Sequence, residues 1–273
     1  MSERPERPYE RIRVERIRAR EKITLSYPQR RNAIGPRMTN ELLHALADAM
    51  ADDHVRVIVI TGEGKSFSAG GDFAQMGLPG APGWSSPPPE VSDLPLKGDY
   101  ADLLRAVMYA EKPIIARVNG HALGTGLGLV AACTFSVALR GTQFGTPEIN
   151  AGLFPMMVMA LLARTLPRSR MLEMMLLGEK IDATEAARIG LIGQVVEPGE
   201  LDETVRTIET QIMHKSPLIT RLGLRAYAAQ DGLEFDAAMT LLRDRLKEVL
   251  TTADAREGLT AFLEKREPVW SGH

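Results

Sequence analysis

The chain has one cysteine in 273 residues, Cys133. With no second thiol there is no internal disulfide, which fits a reducing compartment. No apolar run is long enough to span a bilayer, so no membrane anchor is expected. Positive charge is not in excess: the formal net charge is −2 and the pI about 6.3. That balance gives no basic face, and nucleic acid is not an expected partner. The first residues, Met1-Ser2-Glu3-Arg4-Pro5-Glu6-Arg7-Pro8, lack the apolar segment of a secretory signal. They read as a disordered tail over residues 1–10, and the cytoplasm is the expected location. His44, His54, His214 and His273 are scattered, and none pairs with Cys or acids at metal-ligand spacing, so no metal is expected. No repeat of 20–50 residues is present.

What is there is an ordinary soluble composition, 44% hydrophobic and 25% charged. The length suits one large core plus an appendage. The informative stretch is 55–155. Val57-Ile58-Val59-Ile60-Thr61-Gly62 is a near-continuous apolar strand, as expected when both sheet faces are covered. It leads to Ser66-Phe67-Ser68-Ala69-Gly70-Gly71-Asp72-Phe73. A second strand, Pro113–Val118, leads to Asn119-Gly120-His121-Ala122-Leu123-Gly124-Thr125-Gly126. Each stretch is a strand that turns through glycine into a helix. Such a turn offers free backbone N–H groups, and its small residues let a ligand approach. Two turns facing one pocket can hold one oxygen between two N–H donors, as an enolate or tetrahedral oxyanion requires. An acid follows in Phe144-Gly145-Thr146-Pro147-Glu148-Ile149, and a carboxylate beside such a pocket can do acid–base work. Either turn alone is commonly a packing turn; the pair followed by the acid is far more specific. His121 adjoins the second turn and is read as a structural hydrogen-bonding residue.

The remaining chain reads as α/β up to about residue 200. Residues 11–18 and 22–27 form a hairpin with Arg20-Glu21 at its turn, the first strand at a sheet edge. Residues 38–51 carry helical spacing. Gly77–Gly98, with Pro87-Pro88-Pro89 and Trp84, is a lid or a disordered insertion. Helices are expected over 99–110, 124–132, 155–164 and 168–177, and strands at 135–139 and 193–197. Asp182-Ala183-Thr184-Glu185 has capping-box spacing. Met156–Met159 either line a ligand pocket or are core of the helix starting at Pro155, and helical spacing favours core. Met171–Leu177 is read as core. From 201 onward four amphipathic helices (201–215, 217–230, 234–252, 253–266) must pack on something, the core or another subunit. The expected organisation is therefore a tail (1–10), an α/β core (11–200) and a helical region (201–273).

The two turns, the acid and the helical end together resemble the enoyl-CoA hydratase/isomerase (crotonase) superfamily. The match runs from the Asn32-Ala33 loop to Ala261-Phe262-Leu263-Glu264-Lys265-Arg266-Glu267-Pro268. The resemblance implies a spiral of ββα units with a C-terminal helical trimerisation region, in trimers that often stack as hexamers. It implies an acyl-CoA thioester as substrate and no separate cofactor. Carried over by position, the oxyanion-hole N–H donors fall on Gly71 and Thr125 and the acid/base on Glu148. Substrate or CoA contacts fall on Ala33, Ala69, Gly70, Asp72, Phe73 and Gly124, with Asp72 expected to hold its loop. Phe262 and Lys265 are expected to reach adenine and phosphate of a neighbouring subunit's nucleotide, against the plainer reading of one buried and one solvated helix residue. The pattern of the family's hydratases departs at Gly128, where they carry a first glutamate. With Glu148 alone, double-bond isomerisation is the expected reaction. Hydration by Glu148 alone is the close alternative, and thioester hydrolysis or decarboxylation are more distant ones. A catalytically silent acyl-CoA-binding subunit is the non-enzymatic alternative.

Overall fold

The computed structural model describes residues 7–75 and 94–272. Most of the Gly77–Gly98 stretch, with Trp84, lies outside these residues. Residues 7–10, expected in a disordered tail, are instead tied down. Arg7 pairs with Asp48 (2.6 and 2.9 Å) and the Glu10 and Arg11 N–H groups donate to Glu41 (3.1 and 2.8 Å). Strands β1 (Ile12–Ile17) and β2 (Arg20–Leu25) form an antiparallel hairpin. Its turn is Arg18-Ala19, not Arg20-Glu21: Ile17 pairs with Arg20, and Arg18 takes the left-handed conformation at φ 58°. Placing Glu21 in the strand buries it beside Arg16, 3.5 Å away.

Helix α1 (Pro36–Ala51) follows, with proline at its first position, where no intrahelical N–H bond is lost. Three strand couples come next, in each of which a longer strand is followed in sequence by a short one: β3 (Val57–Gly62) then β4 (Ser66–Ser68), β5 (Ile114–Val118) then β6 (His121–Leu123), and β7 (Phe135–Leu139) then β8 (Gln143–Gly145). Helix α2 (Tyr100–Met108) lies between the first two pairs, α3 (Thr125–Ala132) between the second and third. A 3-10 turn (Pro147–Ala151), α4 (Met156–Thr165), α5 (Arg168–Leu177), β9 (Lys180–Asp182), α6 (Ala183–Arg188) and β10 (Gln194–Val196) complete the α/β part. Asp182 caps α6 by accepting from the Glu185 N–H. Helices α7 (Leu201–Met213), α8 (Pro217–Gln230), α9 (Phe235–Thr251) and α10 (Ala253–Glu264) end the chain.

The longer strands make a six-stranded sheet in the order β1-β2-β3-β5-β7-β10, parallel except for the β1/β2 hairpin. All six residues of β3 are buried because both sheet faces are covered. Ile58 and Ile60 point into the main core with Leu42 and Leu46 of α1. Val57 and Val59 point the other way, onto Leu201, Val205 and Ile208 of α7. The short strands make a second, four-stranded sheet, β4-β6-β8-β9. Within it β4, β6 and β8 run parallel. Ser68 pairs with Ala122 and Leu123 with Gly145. Segments that leave parallel neighbours in register must emerge side by side. The residues after β4, β6 and β8 are the two glycine turns and the Glu148 turn.

Candidate active site

Close packing of backbone brings the three segments together. Gly70 sits at φ +112°, a conformation that side-chain-bearing residues avoid, and a Cβ there would lie 3.3 Å from the Leu123 carbonyl. Gly124, at φ +49°, donates its N–H to the Gly145 carbonyl (2.9 Å) and caps α3. A Cβ on Gly124 would lie 2.4 Å from Glu148 Oε1, so the glutamate carboxylate rests directly over the glycine backbone. A Cβ on Gly126 would meet the Ser68 side chain at 2.6 Å. The first turn thus touches the second, and the second touches the acid.

Thr125 opens α3, and the N–H groups of a first helical turn have no partner within the helix. Gly71 forms a parallel bridge with Ile34, flanked by Ile34 N–H donating to Gly70 O (2.8 Å) and Asp72 N–H to Ile34 O (3.2 Å). That bridge places Ala33, which is buried, against the first turn. Asp72 is buried too, with Arg30 at 3.5 Å, and its carbonyl accepts from the Gln75 N–H (3.0 Å), so it sits in its loop as the sequence suggests. Ala69 donates its N–H to Arg31 O (2.9 Å), and Phe73 is half-buried in the turn that follows.

Glu148 stands in the 3-10 turn, with Pro147 at its first position and Gly152 closing it in the left-handed conformation. Its Oε2 and the Thr125 Oγ1 are both buried without a hydrogen-bond partner among the described residues. Burial pushes the Glu148 carboxyl above its ordinary value of 4.5, against the lowering effect of a backbone hydrogen bond. A half-buried carboxylate with one oxygen unpartnered over a glycine backbone is poised to exchange a proton with whatever enters.

Beside Thr125 lies a cavity of about 550 Å³ whose walls include Ile34, Pro36, Leu96, Tyr100, Thr125 and Met157. Its lining is mostly apolar, as in most small-molecule pockets. Met157 faces this space, and both Met156 and Met157 are exposed, which corrects the expectation of core for these two; Val158 and Met159 do pack on the core. The buried residues of α4 are Val158, Leu161 and Leu162. Met171, Met174 and Met175 of α5 are core, but Leu176 and Leu177 at the end of that run are exposed, which corrects the expectation for them. His121 accepts at Nδ1 from the Gln143 N–H (3.0 Å), a structural bond. Phe262 is 81% exposed on α10 and Lys265 ends that helix in the left-handed conformation; neither lines the cavity.

Sequence reasoning missed Tyr100. Its hydroxyl donates to the Thr125 carbonyl at 2.5 Å, and a Cβ on Gly128 would lie 2.4 Å from it. Two residues of α1 hold the segment that delivers it. Asn40 Nδ2 donates to the Leu94 and Pro95 carbonyls (3.3 and 3.2 Å), and His44 Nε2 lies 2.8 Å from the Pro95 carbonyl. Asp99 then caps α2 with a capping box. The only sequence signal was an acid at a helix start; nothing local ties Tyr100 to a turn 25 residues away.

The chain and its fold have known counterparts. Residues 21–273 match the family described as Enoyl-CoA hydratase/isomerase. The chain belongs to the enoyl-CoA hydratase/isomerase family. Among relatives of this enoyl-CoA hydratase/isomerase homologue, the crotonyl-CoA hydratase of Syntrophomonas wolfei is 34% identical over 263 residues, covering 95% of this chain and 97% of that protein. The mitochondrial enoyl-CoA hydratase domain-containing protein 3 of Rattus norvegicus is 34% identical over 249 residues, 91% of this chain and 80% of the relative. The crystal structure of human enoyl coenzyme A hydratase domain-containing protein 3 superposes with a TM-score of 0.85 at 31% identity, over 96% of this chain and 100% of that one. An enoyl-CoA hydratase of Mycobacterium smegmatis gives 0.86 at 29% identity, over 96% and 99%. The fold is therefore that of the crotonase family, and the protein is an enzyme of that family.

Proposed function

We propose that the enzyme acts on an enoyl-CoA thioester through an enolate whose oxygen is held by the Gly71 and Thr125 N–H groups, with Glu148 as acid and base. One observation supports this more than any other: the Glu148 carboxylate lies over Gly124, the residue that precedes the Thr125 N–H, at 2.4 Å from the Cβ position. An acid in that place is beside the α-carbon of a carbonyl bound at the turns. Glu148 would take a proton from one carbon, leave a dienolate, and return the proton two carbons away. That is double-bond isomerisation, and one carboxylate is enough for it. Hydration is the second reading, favoured by relatives named as crotonyl-CoA and short-chain-enoyl-CoA hydratases. The test follows 2-enoyl- and 3-enoyl-CoA separately for water addition and for double-bond position, in the native enzyme and in Glu148→Gln. Turnover that survives Glu148→Gln would overturn the assignment of Glu148, and a native protein that binds acyl-CoA without turning it over would be the catalytically silent subunit.

We also propose that the C-terminal helices assemble the chain into a trimer or a dimer of trimers. Their outer apolar residues, among them Phe235, Leu250 and Phe262, are exposed in the single chain. In such an assembly Phe262 and Lys265 would lie against a neighbour's CoA nucleotide.

A further inference from the structure

Gly124 is the N-cap of α3, and Gly128, whose N–H donates to the Gly124 carbonyl (3.0 Å), lies one turn further on. The Cβ position of Gly124 is 2.4 Å from the Glu148 carboxylate, and that of Gly128 is 2.4 Å from the Tyr100 hydroxyl. The carboxylate and the phenol therefore stand at the two ends of one helical turn, close enough for the Glu148 charge to be felt at the phenol.

The phenol can play only one part there. It donates its proton to the Thr125 carbonyl, which leaves its lone pairs for the site. Burial first, and the Glu148 charge second, push its ionisation well above the ordinary value of 10.0, so it does not become a base. It is an acceptor. Glu148 Oε2, buried without a partner among the described residues, is another. A water between two acceptors gives one hydrogen to each and keeps its oxygen lone pairs free to attack.

We propose that Tyr100 is the water-binding residue of this site and sets the balance between water addition and double-bond isomerisation. The proposal rests on Glu148 being the acid/base. Water held by Tyr100 and Glu148 adds through its oxygen to C3 of a 2-enoyl thioester. The new C–O bond forms as one water O–H bond breaks, and that proton passes to Glu148. The C2=C3 pair moves to C1–C2 and the carbonyl pair onto the thioester oxygen. The Glu148 proton then goes to C2, the carbonyl re-forms, and the sum is one water added across one double bond.

The test is Tyr100→Phe, assayed with 2-enoyl- and 3-enoyl-CoA in parallel. The ratio of hydration to isomerisation should fall about tenfold, the loss expected for one hydrogen bond to the reacting water. Gly128→Ala, whose methyl would sit on the phenol oxygen, should lower the ratio in the same direction. Measuring a ratio guards against a variant that is simply less well folded. An unchanged ratio in both variants overturns the inference, and so does a native enzyme that adds no water. Failure of the underlying reading looks different: Glu148→Gln would then retain both activities, whereas failure of this inference alone leaves Glu148→Gln inactive.

Discussion

Strand β3 and helix α9 show two ways to use apolar residues. Every one of the six residues of β3 is buried within the chain. Of the 17 residues of α9 only Ala238 is buried, and α8 has no buried residue at all. Both segments are rich in Leu, Ile, Val or Met. The strand has neighbours on two faces, and its burial stabilises the fold directly. The helix packs against α8 and α10, and its apolar side (Met239, Leu246 and Leu250) stays in solvent. Exposed apolar surface on that scale is a mark of association. The α/β part thus holds every group of the proposed catalytic site in one chain, while the helical end leaves much of its apolar side exposed.

That division can be broken in steps. Glu148→Gln should lower thioester turnover by about 10²–10⁴, the range for a lost general acid/base, while circular dichroism stays native. A simultaneous loss of fold would mean that the site and the core are not separable. Ile60→Ala should cost about 2–5 kcal/mol in denaturant unfolding, because the side chain is fully buried and its neighbours cannot collapse into the space. A midpoint close to native would show the β3 core to be less tightly packed than its burial implies. Leu250→Asp, on the exposed face of α9, should change subunit stability by no more than about 0.5 kcal/mol. Its effect should appear instead as a smaller particle in sedimentation. A native protein already monomeric would remove the proposed assembly.

The smallest effects concern protons. The acid limb of the turnover profile should lie above 4.5, because burial raises Glu148 and it must lose its proton to act. For stability the sign is opposite. A raised folded value means that the stabilising share of Glu148 is whole below 4.5 and is lost as pH rises through that raised value. Glu148→Gln should therefore melt slightly higher than the native enzyme at neutral pH, and a lower melting point would contradict the burial argument.

Much of this was legible in the chain itself. The apolar runs of β3 and β5, the helical spacing of α1 and the four terminal helices all match the elements found. The two glycine turns and Glu148 stood out because small residues after an apolar strand are a local signal. The second sheet did not. Strands β4, β6, β8 and β9 have three residues each, too few to show a period of two. Yet it is the parallel pairing of β4, β6 and β8 that sets the turns and the acid side by side. The hairpin turn was misplaced by two residues because Arg18 can enter the left-handed region without being glycine.

The order of residues alone determined which backbone stretches could bend into donors and which acid followed them, because glycine, proline and hydrophobic runs act locally. Only the folded chain decided what stands opposite that acid. Tyr100 reaches Thr125 and the space above Gly128 because Asn40 and His44 of α1 hold the approach to α2. Contacts of that kind join segments far apart in the chain, and they exist only once the helices have packed.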